Sequence, residues 1–175
     1  MVRGSPNPLY MALPARFRKA RKQAGLTRMA VAQQAGCGQT VALEIENRHR
    51  LPSVATLVRL ATALNVSASW LAYGIGEASG SDQPPESSEM SKRLRQTLHQ
   101  KRMSRAELGR LTGISPRAIA KVESGGQSGI DVVESLAKAL GVSPGWLAFG
   151  VGPQVPVTPR RGRPPAQPSA RSVDC

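Results

Sequence analysis

The chain has 175 residues, with 24 Lys and Arg against 11 Asp and Glu, for a formal net charge of +13 and a pI near 11.2. That length suits one or two small domains, and the charge points to a polyanionic partner, nucleic acid ahead of an anionic membrane. Two cysteines (Cys37 and Cys175) and two histidines form neither a disulfide framework nor a metal-ligand spacing, so no metal and no cofactor is expected.

The first segment, MVRGSPNPLYMALPARFRK, has no apolar core of signal-peptide length. A reduced, cytoplasmic location follows by elimination. Residues 1–12 are expected to be disordered. From Leu13 onward, apolar residues fall at helical spacing and predict five short helices, over 13–24, 27–35, 38–47, 53–64 and 67–73. Leu13, Phe17, Ala20 and Ala24 mark the inward face of the first. Thr27 stands at an N-cap position. The weakly charged stretch 51–76 is long enough to span a bilayer. It holds Pro52 and a break at Asn65-Val66-Ser67, however, so two amphipathic helices joined by a turn are predicted and no membrane contact. The segment 77–91, with Asp82, Glu86 and Glu89, is small, polar and acidic, and reads as a flexible linker.

The chain then repeats itself. LATALNVSASWLAYGIG (60–76) recurs as LAKALGVSPGWLAFGVG (136–152), a shift of 76. Upstream, Arg18/Arg95, Gln23/Gln100, Arg28/Arg105, Gly36/Gly113 and Glu46/Glu123 match at a shift of 77. Each copy is near the smallest size that folds without staples, which predicts two homologous domains over 13–76 and 92–152. In copy 2, Met90, Leu94 and Leu98 form the inward face of the first helix, and Ser104 with Glu107 forms a capping box. Ser115-Pro116 and Ser143-Pro144 place Pro at the first helical position behind a Ser. Trp70 with Tyr73, and Trp146 with Phe149, are expected to supply most of each core's aromatic area. Residues 153–175, rich in Pro and Arg, read as a disordered basic tail. The fold class is all-α: two tandem five-helix domains, a flexible linker and disordered termini.

Helices two and three of each copy carry the most constrained pattern, RMAVAQQAGCGQTVALEIE from Arg28 and RAELGRLTGISPRAIAKVE from Arg105. Two helices crossing steeply need a small residue at closest approach, where Ala32 and Gly109 sit. The turn needs left-handed geometry, which Gly36 and Gly113 supply. Val31, Cys37, Ala42 and Ile45, or Leu108, Ile114, Ile119 and Val122, lock the pair. Cys37 aligns with Ile114 and reads as a small core hydrophobe.

These patterns, with the terminal W-L-A-[YF]-G-x-G, resemble the lambda/434-repressor-like (Cro/C1, XRE-type) helix-turn-helix family over about 16–76 and 93–152. The resemblance implies a third helix in the major groove of double-stranded DNA and a second helix across the backbone. Carried over by position, the base-reading face is Gln39, Thr40, Leu43 and Glu44 in copy 1 and Pro116, Arg117, Ala120 and Lys121 in copy 2. Arg28 and Arg105 take the place of a phosphate-binding Gln, and Asn47, with Arg48 or Arg50, matches the phosphate-contacting loop. Copy 2 has Ser124-Gly125 there instead, hence fewer phosphate contacts, and Pro116 has no edge-reading group. Ala42 is smaller than the family's usual Ile or Val. Gln39 suits adenine, Arg117 and Lys121 suit guanine, and Glu44 suits the cytosine amino group.

Residues 1–80 hold ten basic and three acidic residues, net +7; residues 81–157 hold ten and seven, net +3. Copy 1 is therefore the expected DNA anchor. In the tail, Arg161-Gly162-Arg163-Pro164 resembles the AT-hook, whose two Arg lie in the narrow minor groove of A·T-rich DNA. The expected protein is a non-enzymatic, nucleoid-associated transcriptional regulator, a repressor by steric occupancy. It would act as a homodimer or as an intramolecular pseudo-dimer of its two copies. Induced self-cleavage is not expected, since no Ser/Lys peptidase domain follows copy 2. Two alternatives stand beside it: an antitoxin-like or adaptor protein whose copy 2 binds a protein partner, and a weakly specific architectural DNA-binding protein.

Overall fold

The computed structural model describes residues 8–48, 50–80 and 87–155. A 3-10 turn over Leu9–Ala12 precedes ten α-helices among the described residues. Copy 1 comprises α1 Leu13–Gln23, α2 Arg28–Gln34, α3 Val41–Arg48, α4 Val54–Ala63 and α5 Ala68–Tyr73. Copy 2 comprises α6 Ser87–Gln100, α7 Arg105–Thr112, α8 Pro116–Glu123, α9 Ile130–Leu140 and α10 Pro144–Phe149. Among the described residues no helix is long and apolar enough to cross a membrane. The apolar stretch 51–76 resolves into α4 and α5, separated at Asn65 with φ +51°.

Short polar side chains start these helices. Thr27, Ser53 and Ser67 in copy 1, and Ser104 and Ser115 in copy 2, each accept a hydrogen bond from an amide three residues on, at 3.1–3.2 Å. Each such cap contributes about 1 kcal/mol by satisfying one orphan N–H. Ser143 holds the N-cap position of α10 without a side-chain bond; Pro144 behind it leaves one fewer amide to satisfy. The third helices start differently. α8 begins at Pro116, directly behind its Ser115 cap, whereas copy 1 has Gly38-Gln39 at those positions and α3 begins only at Val41. Residues 38–40 form a turn closed by the Val41 N–H on the Gly38 carbonyl (3.0 Å), so the expected start at 38 is three residues early.

Each copy buries most of its expected apolar face, with Cys37 and Ile114 only partly buried against it. Leu13, Phe17, Ala20, Val31, Ala42 and Ile45 are buried in copy 1, and Met90, Leu94, Leu98, Leu108, Ile119 and Val122 in copy 2. Ala24 is not among them; it is the exposed C-cap of α1.

The two copies pack against each other through equivalent residues. The N-cap positions of α4 and α9, Ser53 and Gly129, form an antiparallel bridge. The Val54 N–H donates to the Ser128 carbonyl (2.9 Å) and the Ile130 N–H to the Pro52 carbonyl (3.4 Å). The shift of 76 that relates the copies turns Val54 into Ile130 and Pro52 into Ser128, so each hydrogen bond is the image of the other, the signature of an isologous contact. Helix α5 lies against its counterpart α10. Here Tyr73 and Phe149 pack ring against ring, with centroids 6.2 Å apart. The buried Tyr73 hydroxyl donates to the Ile130 carbonyl at 2.9 Å. Tyr73 and Phe149 therefore join the copies, while Trp70 and Trp146 are only partly buried, which corrects their assignment to two separate aromatic cores.

The chain ends of each copy are also held more firmly than their composition suggests. Within the segment expected to be disordered, the Leu9 and Tyr10 amides donate to the Glu134 carboxylate of α9 at 2.7 and 3.1 Å. Charge-assisted bonds of this kind compensate the order imposed on a short turn. The Ser67 N–H donates to the Ala78 carbonyl (3.2 Å), and at the equivalent place the Ser143 N–H donates to the Gln154 carbonyl (2.7 Å). The segment 77–91 is thus ordered at both ends, with α6 already starting at Ser87; residues 81–86 lie outside the described residues.

Candidate nucleic-acid interface

The α2–α3 and α7–α8 pairs are built on backbone constraints. Gly36 and Gly113 adopt φ of +59° and +73° after the second helix of each copy, where a side chain would be strained. A Cβ on Gly109 would stand 2.8 Å from the Ile114 carbonyl oxygen, so the steep crossing depends on the missing side chain. Ala32, fully buried, is the copy 1 equivalent. Arg59 of α4 donates to the Gly36 carbonyl at 3.0 Å and braces the turn. Copy 2 has Ser135 at that position, whose hydroxyl turns back to the Asp131 carbonyl.

A buried carboxylate organises copy 1. The Glu46 side chain is fully buried, and Arg21 Nε (2.7 Å) and Arg28 Nε (2.8 Å) donate to its two oxygens, with Arg18 Nε at 3.6 Å. Arg18 also donates to the Glu46 carbonyl at 3.2 Å and to Asn47 Oδ1 at 3.5 Å. Burial raises the Glu46 carboxyl, but the hydrogen bonds and charges of Arg21 and Arg28 outweigh it, and the group titrates below its ordinary value. Three guanidinium groups on one carboxylate leave an excess of positive charge at the end of α3. In copy 2, Glu123 pairs with Arg105 and with no other cation among the described residues. Leu98 stands in the place of Arg21, and Arg95, the counterpart of Arg18, donates to the Ser91 carbonyl instead.

Arg28 and Arg105, expected at phosphate, are thus held by the glutamates that close the third helices, though both remain about half exposed. The arginine hub of Arg18 and Arg21 was not anticipated. The repeat pairs Arg18 with Arg95, yet nothing in the pattern joins either Arg18 or Arg21 to Glu46.

Gln39, Thr40, Leu43, Asn47 and Arg50 are exposed, and so are Pro116, Arg117, Lys121 and Ser124. Ala120 is half-buried. Gln39 and Thr40 lie in the turn before α3 rather than within it, while Arg117 sits in the first turn of α8. Glu44, expected at a base edge, is half-buried and ion-paired with Arg50, expected at phosphate. The Ser124 hydroxyl donates to the Lys121 carbonyl at 2.9 Å and closes the end of α8. The Arg48 side chain and the Arg161–Pro164 motif fall outside the described residues. Among the described residues no group of His, Cys, Asp or Glu is arranged to hold a metal ion.

Two crossed helices, a left-handed turn and an exposed polar third-helix face occur twice in one chain. A family model described as helix-turn-helix matches residues 17–71 and again residues 92–147. No curated protein and no solved structure matches the chain.

Proposed function

We propose that this chain, which belongs to the Cro/C1-type helix-turn-helix family of DNA-binding regulators, is a sequence-specific transcriptional repressor that works by occupying a promoter. The observation that carries the reading is the exposed third-helix face of each copy. Leu43 stands on one, with Gln39 and Thr40 in the turn that leads into it, and Arg117 and Lys121 stand on the other, each supported by a second helix locked across it. Gln39, Thr40, Arg117 and Lys121 have the donors and acceptors that base edges require in the major groove, and Leu43 offers an apolar contact for a thymine methyl. Arg18, Arg28, Asn47, Arg48 and Arg50 in copy 1, and Arg105 in copy 2, are the phosphate-binding set in this reading. Copy 1 is the stronger anchor: its half of the chain carries +7 against +3.

The tail adds a minor-groove arm. Arg161 and Arg163 flank Gly162, and Pro164 favours an extended backbone, the composition that fits the negative potential of A·T tracts. The two packed copies favour one chain acting as an intramolecular pseudo-dimer over a homodimer.

Titration of the full chain against duplexes recovered by in-vitro selection and against scrambled duplexes, over a range of salt, tests the function. Specific regulation predicts at least ~10³-fold tighter binding to selected sites. A ratio near one with a steep salt slope supports the architectural alternative instead. No binding to either duplex supports an adaptor role. Removing Pro159 onward should weaken binding to A·T-rich duplexes only; an equal loss on G·C-rich duplexes would reduce the tail to plain charge.

A further inference from the structure

The interface between the copies is isologous in its backbone but unlike in its side chains, and the differences are complementary. The pseudo-two-fold axis relates Ser69 of α5 to Gly145 of α10. A Cβ on Gly145 would come closer than 3.0 Å to Ser69 Oγ, a distance that real Cβ atoms essentially never show, and would also crowd Ile75 and the Val151 carbonyl. Ser69 fits because its counterpart has no side chain. The flanks repeat the pairing reciprocally: Ile75 lies over Gly145 and Gly152, and Val151 lies over Gly76.

Two further contacts have no symmetric counterpart among the described residues. The Tyr73 hydroxyl donates to the Ile130 carbonyl, whereas Phe149 has no hydroxyl to give the equivalent Val54. The 3-10 turn at Leu9–Ala12 reaches across to Glu134 of α9, and the equivalent position in α4 is Val58.

We infer that this interface is keyed to pair copy 1 with copy 2 and to reject like with like. One chain is then a closed unit, and it reads two unlike DNA half-sites without a second chain. Pairing copy 1 with another copy 1 would drive two Ser69 side chains into the space one occupies, and would set the Leu9 and Tyr10 amides against Val58. Pairing copy 2 with another copy 2 would leave a gap between two Gly145, with neither the tyrosine bond nor the N-terminal strap. The backbone bridge at Ser53 and Gly129 is indifferent to the choice, so selectivity rests on these side chains. The reading of DNA rests on the proposed function; the keyed pairing does not.

The test uses the full chain. Sedimentation equilibrium without DNA, at tens of micromolar, should return the mass of one chain; a dimer overturns the inference. Gly145→Ser should lower the melting temperature by on the order of 5 °C, the scale of an overpacked interface in a chain of this size. Ser69→Gly combined with Gly145→Ser exchanges the key for its mirror arrangement and should recover the wild-type value to within about 2 °C. A silent Gly145→Ser, or an exchange variant no better than the single one, overturns the key. That comparison survives even if the single variant fails to fold. On duplexes recovered by selection, one chain per duplex and two different half-sites about one helical turn apart are expected. Two chains on a palindrome overturn the inference. Selection that recovers no site, with the sedimentation and melting results as expected, defeats the proposed function and leaves the keyed pairing standing.

Discussion

Burying a carboxylate costs several kcal/mol unless charges and donors accompany it, and Glu46 is accompanied by Arg18, Arg21 and Arg28. The three guanidinium groups tie α1 and α2 to the end of α3, so one acidic residue fixes how the third helix is presented. Because the folded-state titration of Glu46 is lowered, its contribution is complete above the ordinary carboxylate range and is lost as pH falls through the lowered value. Glu46→Gln should therefore cost about 3 kcal/mol at neutral pH, and the gap to wild type should narrow on acidification. Urea unfolding at a series of pH values between 7 and 3 measures this. A gap of constant size would mean that the ionised carboxylate contributes nothing. Copy 2 has a lighter arrangement, Glu123 with Arg105, and Glu123→Gln makes the natural comparison.

The helix pairs themselves depend on volume at one point. In copy 2 the α7–α8 crossing leaves no room for a Cβ on Gly109 beside the Ile114 carbonyl, while copy 1 accommodates Ala32. Gly109→Ala should destabilise the chain by about 1–3 kcal/mol, the usual cost of overpacking, despite the better helix propensity of Ala. A melting temperature at or above wild type would show that the crossing relaxes without cost. This small residue, the left-handed glycine and the caps at Thr27, Ser104 and Ser115 were legible in the sequence, because each follows from local geometry. The start of α3 was not, since the absence of a Ser-Pro pair in copy 1 delays the helix and leaves no other mark. The contacts between copies were illegible for a different reason. Tyr73, Phe149 and Trp70 all show the apolar spacing of core residues, and periodicity does not distinguish burial within a domain from burial against its twin. Ser69 opposite Gly145 looks like an ordinary repeat difference until the axis is known. The pairing of Glu44 with Arg50 likewise joins two residues that separate DNA roles had kept apart.

At the scale of the whole molecule, the distinction is between two readers on a tether and two readers on a fixed frame. A flexible 15-residue linker spans about 20 Å on average and reaches near 50 Å, which lets each copy find its half-site with wide tolerance. The paired amides at Val54 and Ile130, the Tyr73–Phe149 contact and the strap on Glu134 join the copies directly. A fixed frame makes binding depend on helical phase. Inserting about five base pairs between the two half-sites of a selected duplex turns one of them to the opposite face of the DNA, since a turn is 10–10.5 base pairs. The rigid pair can then engage only one half-site, and affinity should fall at least ~10²-fold, the scale of the avidity lost when simultaneous engagement is forbidden. Inserting a full turn restores the face but adds about 34 Å of separation, so a frame predicts no recovery there, whereas a tether of that reach predicts little loss at either spacing. Fluorescence-anisotropy titration of the three duplexes under one salt condition separates the cases, and a flat response would return the chain to two independently tethered readers.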